Sequence, residues 1–171
     1  MQKGWISPEF IVKSRKDNNT IIVGYASVFG VTDSQNDVIS KGAFKFTEAH
    51  KVKLLWQHDV TKPIGVVKAL EEDEYGLKIE AEINSKTVAG AEAIELIKQK
   101  AVCGLSIGFV IKSSDYSKNG VRVIDNVELM EISVVTFPSN TKAQINQIKQ
   151  SCSKNEALDE LSSLIEQLEN Y

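Results

Sequence analysis

The chain has 171 residues, 42% of them hydrophobic, with 20 basic against 23 acidic side chains and a formal net charge of −3. That length suits one domain, or one domain with a tail, and buries a core without staples. With no basic run and no interleaving of aromatic and basic residues, nucleic acid is excluded as the expected partner.

Residues 1–8 hold no apolar signal core, and no apolar run is long enough to cross a membrane. Cys103 and Cys152 lie far apart and fit a reducing compartment better than a disulfide framework. The chain therefore reads as a soluble protein used inside a cell. Most of the first two-thirds reads as short strands. Residues 9–14 and 20–29 flank the polar turn Arg15-Lys-Asp-Asn-Asn19, a hairpin signal. A polar loop is expected over 31–41, ending in Gly42-Ala-Phe44. Residues 52–58 alternate, with Val52, Leu54, Trp56 and His58 on one face and Lys53 and Gln57 on the other. Pro63 is expected to break the chain before a strand over 64–70.

The acidic turn 71–74 leads to a strand over 76–83, where Leu77, Ile79, Ala81 and Ile83 alternate with Lys78, Glu80 and Glu82. One internal helix follows, capped by Asn84 or Ser85, with Val88, Ala91, Ile94 and Ile97 on its apolar side and Lys98-Gln-Lys100 at its end. Strands are expected over 102–112, 121–124 and 127–137, with a turn over 113–120 and a stop at Pro138. A second helical stretch is expected over 142–150. Residues 151–155 read as a linker. Beyond it, Leu158, Leu161, Ile165 and Leu168 follow helical spacing. Two heptads are too few for a stable coiled coil, and a short helix docked on its own domain fits equally well.

The run Gly104-Leu-Ser-Ile-Gly-Phe109 carries the most chemical information. By alternation, Gly104, Ser106 and Gly108 share one face, while Leu105, Ile107 and Phe109 share the other. One face packs on a core; the other is bare backbone with a single hydroxyl, open to close approach by a substrate chain. The plain alternative is a bulge or a barrel corner. The nucleophile elbow of α/β-hydrolases has the same letters, but it needs a following helix, and Phe109-Val-Ile111 continues the strand.

A serine nucleophile needs a base, and the base needs an orienting group. The chain offers two histidines. His50 lies in a polar stretch and reads as solvated. His58 closes an apolar strand face and is placed to act as a base, or alternatively to bond Asp59 as a strand cap. Glu131 sits in Leu129-Met-Glu-Ile-Ser-Val-Val-Thr-Phe137, apolar on both faces as in a central strand. A carboxylate buried there needs a partner such as a histidine N–H; on an edge strand it would face water. Glu128 is the weaker alternative. Cys103 points away from the Ser106 face in a regular strand and reads as core. Neither the histidines nor the cysteines have metal-ligand spacing, and no phosphate loop or dinucleotide fingerprint is present, so no cofactor is expected.

Three ordered segments then carry a resemblance: Ile22-Val-Gly-Tyr-Ala-Ser-Val-Phe29 with Asp37-Val-Ile-Ser-Lys-Gly-Ala-Phe44; Leu54-Leu-Trp-Gln-His-Asp59 with Pro63-Ile-Gly65; and Gly104-Leu-Ser-Ile-Gly-Phe109 with Leu129-Met-Glu-Ile-Ser-Val-Val-Thr-Phe-Pro-Ser-Asn140. Over 20–140 the chain resembles the prohead (head maturation) proteases of tailed bacteriophages, relatives of the herpesvirus assemblins. The resemblance implies a mainly β fold, a mostly antiparallel β-barrel with surrounding helices; with the linker and amphipathic tail read from the residues over 151–171, the expected protease domain is 1–150. It implies a serine endopeptidase with Ser106 as nucleophile and His58 as general base. The third group follows the serine in chain order, where the assemblins use a second histidine; Glu131 is the expected counterpart. Backbone N–H groups of a neighbouring loop are the expected oxyanion donors.

The substrate so implied is scaffold protein or the scaffolding segment of the major capsid protein, and the enzyme itself. The implied location is the host bacterial cytoplasm inside the assembling prohead, with no nucleic-acid or membrane partner and with a homodimer as an open possibility. The tail over 156–171 is a candidate for packaging or dimer contacts. Two rivals stay open: a non-catalytic capsid assembly factor on the same barrel, and a serine hydrolase of small esters.

Overall fold

The structure is a computed structural model, and it describes residues 20–150. The expected strand over 9–14, the turn over 15–19, the linker, Cys152 and the amphipathic tail lie outside the described residues.

Among the described residues, eight strands and one α-helix follow in chain order: β1 (Thr20–Val28), β2 (Asp37–Ile39), β3 (Lys53–Trp56), β4 (Asp59–Glu72), β5 (Gly76–Ile83), α1 (Val88–Lys98), β6 (Gly104–Tyr116), β7 (Arg122–Val135) and β8 (Ile145–Gln150). The strands form one sheet in the order β2-β7-β3-β4-β5-β1-β8, with β6 added on β7. β2 and β3 run parallel to β7, and the other pairings are antiparallel. The fold is mainly β, as expected. The strand ladders among the described residues do not close the sheet, and the expected barrel reduces there to one bridge. Gly104 pairs with Gln144, Leu105 N–H donates to Ala143 O at 3.0 Å and Ile145 N–H donates to Cys103 O at 2.9 Å, tying the start of β6 to the segment before β8.

The sequence pattern explains the strongest elements. β5 alternates without a break, and Leu77, Ile79, Ala81 and Ile83 are all buried against Ile22, Leu54 and Ile64 in one core. Burial of each large aliphatic side chain contributes about 1.5–3 kcal/mol relative to exposure. β7 is buried on both faces from Ile132 to Val135, where it is a central strand with β3 on one edge and β6 on the other.

Several boundaries differ from the sequence reading. Asp37–Ile39, within the expected loop, is a strand, recruited by parallel pairing with Arg122, Val123 and Ile124. β4 runs straight through Pro63. The register with β3 shifts on both sides of the Leu55–Pro63 pair, and pairing with β5 begins only at Gly65, so the missing N–H falls at a bulge on a locally free edge. Helix α1 is capped by Thr87, whose hydroxyl accepts Gly90 N–H at 3.1 Å. Asn84 instead forms an Asx turn just before it, accepting Lys86 N–H at 2.9 Å. The buried side of α1 is Gly90, Ala93, Ile94 and Ile97, while Val88 is exposed. The two strands expected over 121–137 are one bulged strand, β7. The helix expected over 142–150 is strand β8, which pairs with β1. Cys103 is exposed rather than core, because it precedes the first residue of β6.

Candidate active site

The site is built on a square of four positions across β6 and β7. Ser106 stands opposite Ser133, and Gly108 stands opposite Glu131. Residues directly opposite, and residues two apart along one strand, point to the same face. Ser106 is 7% exposed and Ser133 is fully buried.

The two glycines have reasons of their own. A Cβ at Gly108 would meet Cγ and Cδ of Glu131 at 2.9 Å, so the carboxylate side chain lies over the bare backbone. A Cβ at Gly104 would meet Val135 O at 2.7 Å and Pro138 Cδ at 2.8 Å. The close approaches that the glycines permit are therefore made by the chain's own groups. The apolar side of the run behaves as expected: Leu105 is fully buried, and Ile107 and Phe109 pack against the core.

His58 reaches this square from a tight turn rather than from a strand end. Gln57 and His58 link β3 to β4 with φ of 54° and 58°, between the paired residues Trp56 and Asp59. Two successive residues in the left-handed region describe a two-residue hairpin of type I′ geometry. Neither is Gly or Asn, so each costs about 1–2 kcal/mol. Hydrogen bonds hold the turn in place. Gln57 N–H donates to Val134 O at 3.0 Å. The Gln57 side chain makes two bonds with Thr136, donating from Nε2 to Oγ1 at 2.8 Å and accepting the backbone N–H at 3.2 Å. His58 N–H donates to Ser133 Oγ at 3.1 Å.

The result is a short contact between groups 73 residues apart: His58 Nδ1 lies 2.6 Å from Glu131 Oε1. The imidazole is 45% exposed and the carboxylate 13% exposed. The other carboxylate oxygen, Oε2, accepts the Ser133 hydroxyl at 2.7 Å. With Nδ1 engaged, Nε2 is the ring atom left for chemistry. A contact from His58 to Ser106 is not among the hydrogen bonds of the described residues, but both side chains line one cleft of about 560 Å3.

The remaining candidates sort by contact. Asp59 does not take His58: its Oδ1 accepts the Thr61 hydroxyl at 2.6 Å and Thr61 N–H at 2.9 Å, which hold its carboxyl below the usual range. Glu128 is on the surface with Lys112, 2.6 Å away, which lowers its pKa. His50 is exposed, 3.6 Å from Glu48. No group of three or more metal-capable side chains occurs among the described residues. None of their helices is long and apolar enough to cross a membrane.

Three features of the site were not singled out from sequence. The far wall of the cleft carries Asp37, which is 4% exposed and bonded to Arg122 through Nε at 2.8 Å and Nη2 at 2.6 Å. These bonds raise the Arg122 pKa further. Nothing local in sequence signals a pair 85 residues apart. Gln57 is the second feature; its partner, Thr136, is 79 residues away. Ser133 is the third, and it had a usable signal: it shares a strand face with Glu131 inside an apolar run. At the rim, Phe137 is 90% exposed.

Comparison with known proteins bears on the family and the fold. The family described as "Caudovirus prohead serine protease" matches residues 8–158. The prohead protease of Enterobacteria phage HK97 is 37% identical over 136 residues, covering 75% of this chain and 60% of the relative. The prohead protease of Escherichia phage T5 is 33% identical over 149 residues, covering 84% of this chain and 66% of the relative. The chain thus spans less than two-thirds of the length of these curated relatives. Among solved structures, the KSHV protease in complex with a hexapeptide phosphonate inhibitor superposes with a TM-score of 0.54 at 12% identity, covering 86% of this chain and 77% of that one. That likeness speaks to the fold.

Proposed function

The chain belongs to the caudovirus prohead serine protease family, and on that premise we propose that it is a serine endopeptidase of Ser-His-Glu type acting in phage head maturation. Ser106 is the nucleophile, His58 the general base and Glu131 the orienting carboxylate. The observation that carries this reading is the 2.6 Å contact between His58 Nδ1 and Glu131 Oε1 at the cleft that Ser106 lines.

In this mechanism Glu131 accepts the Nδ1–H and fixes the ring tautomer with Nε2 free. As Ser106 Oγ bonds to the scissile carbonyl carbon, its proton passes to His58 Nε2. The imidazolium so formed is stabilised by the Glu131 carboxylate. Nε2 then returns the proton to the leaving amine as the C–N bond breaks, giving an acyl-enzyme. A water, deprotonated by the same nitrogen, attacks the acyl carbon, and Nε2 passes that proton to Ser106 Oγ as the ester C–O bond breaks and the acid product leaves.

Beyond the bridge at its start, β6 pairs only with β7 among the described residues. Its other edge is available to an extended peptide that adds as a strand beside Ser106. On this reading the bridge between Gly104 and Gln144 closes the sheet as a barrel. The substrate is the scaffold protein or the scaffolding segment of the capsid precursor, cleaved in the prohead inside the host cytoplasm, with a homodimer as a further element. Residues 1–150 are the protease domain and 151–171 its tail.

A peptide phosphonate tests the catalytic reading. Stoichiometric labelling at Ser106, lost in Ser106→Ala, is the expected result. A folded protein that stays unlabelled would favour the non-catalytic assembly factor, and hydrolysis of small esters without peptide cleavage would favour the ester hydrolase.

A further inference from the structure

We propose that Ser133 is a positioning residue that locks the general base and its carboxylate into one unit, a role that rests on the assignment of His58 and Glu131 above. Ser133 is fully buried, so it does not meet substrate. Its single hydroxyl is used in both directions. It donates to Glu131 Oε2 at 2.7 Å and accepts the backbone N–H of His58 at 3.1 Å. Glu131 Oε1 contacts His58 Nδ1 at 2.6 Å. The three contacts close a ring that leaves the His58 backbone, passes through Ser133 and Glu131, and returns to the His58 side chain.

Each member needs the lock for a separate physical reason. A glutamate side chain has three rotatable bonds, and a partner at one oxygen leaves the carboxylate free to swing about it. Ser133 takes the second oxygen and fixes the carboxylate plane. His58 has a φ of 58°, so its N–H must be held against the tendency of the turn to relax. Ser133 is the acceptor that holds it. A hydroxyl placed only to satisfy a buried polarity would need one partner; this one joins the backbone of one functional residue to the side chain of the other.

The test compares wild type, Ser133→Ala, Glu131→Gln and the double variant, with Ser133→Cys as a near-isosteric weak donor should the alanine variant not fold. Ser133→Ala is expected to lower kcat about 10- to 100-fold with KM within about twofold, the mark of a mispositioned base. In the Glu131→Gln background the same change is expected to cost less than about twofold, because the lock acts through that carboxylate. A readout independent of turnover is the low-field proton NMR signal of the His58 ring N–H, expected in wild type and weakened in Ser133→Ala while the backbone amide spectrum persists. Losses that multiply in the double variant, a change confined to KM, or a wild-type ring-proton signal in Ser133→Ala would overturn the proposal. A wild type that shows the ring-proton signal and its dependence on Ser133 but cleaves nothing would sink the protease reading and leave the lock standing.

Discussion

Gly108 and Glu131 face each other across β6 and β7, and the glutamate side chain occupies the space that any side chain at 108 would need. The glycine two residues after Ser106 therefore leaves room for the carboxylate that contacts His58 Nδ1. Gly108→Ala is expected to push Glu131 off His58, lowering kcat about 100-fold while the protein stays folded. Kinetics, with circular dichroism as the folding control, check this. Wild-type turnover in the variant would show that the carboxylate does not depend on that gap.

The Gln57–His58 turn makes a stability prediction. Gln57→Ala and Gln57→Gly both lose the side-chain bonds to Thr136. Only glycine relieves the positive φ at 57. The glycine variant is expected to be the more stable of the two by about 1 kcal/mol, after allowing for the greater freedom of its unfolded chain. Urea unfolding of both decides it, and equal stabilities would mean that the turn carries no backbone strain.

How much of this was legible in sequence follows from where the information lies. Strand β5 was readable to the residue because its alternation is unbroken and both ends are marked by turns. His58 is singled out by its place after an apolar strand face, but its setting is not legible, since Gln57-His58 lacks the Gly or Asn that ordinarily signals such a turn. Residues 142–150 read as a helix because Ile145 and Ile148 stand three apart, a helical spacing that puts them on opposite faces of a strand, and pairing with β1 overrides that pattern. Cys103 looked like core by parity from Ser106, but parity holds only inside a strand. The glycines of Gly104-Leu-Ser-Ile-Gly-Phe109 suggested room for a ligand, and the structure fills that room with Pro138 and Glu131, groups whose proximity depends on pairing that no local pattern encodes.

A pH dependence of stability follows from Tyr25 and Asp73, joined by a 2.6 Å hydrogen bond from the phenol. That bond lowers the Asp73 pKa and raises the Tyr25 pKa. For the aspartate, the stabilisation is present above its unfolded value and is lost as pH falls through the folded one. For the tyrosine, it is complete below the unfolded value near 10 and is lost as pH rises through the folded one. Tyr25→Phe is expected to flatten both limbs of a plot of unfolding free energy against pH. Limbs as steep as those of wild type would contradict the assignment.

If the proposed function holds, cleavage of a capsid precursor depends on Ser106. The most direct measurement is the intact mass of both proteins after co-expression of the capsid precursor with wild type or with Ser106→Ala. Discrete truncation of the precursor is expected with wild type, and full-length precursor with the alanine variant. Full-length precursor in both samples, with both chains folded and bound to it, would contradict it and point to an assembly factor in place of an enzyme.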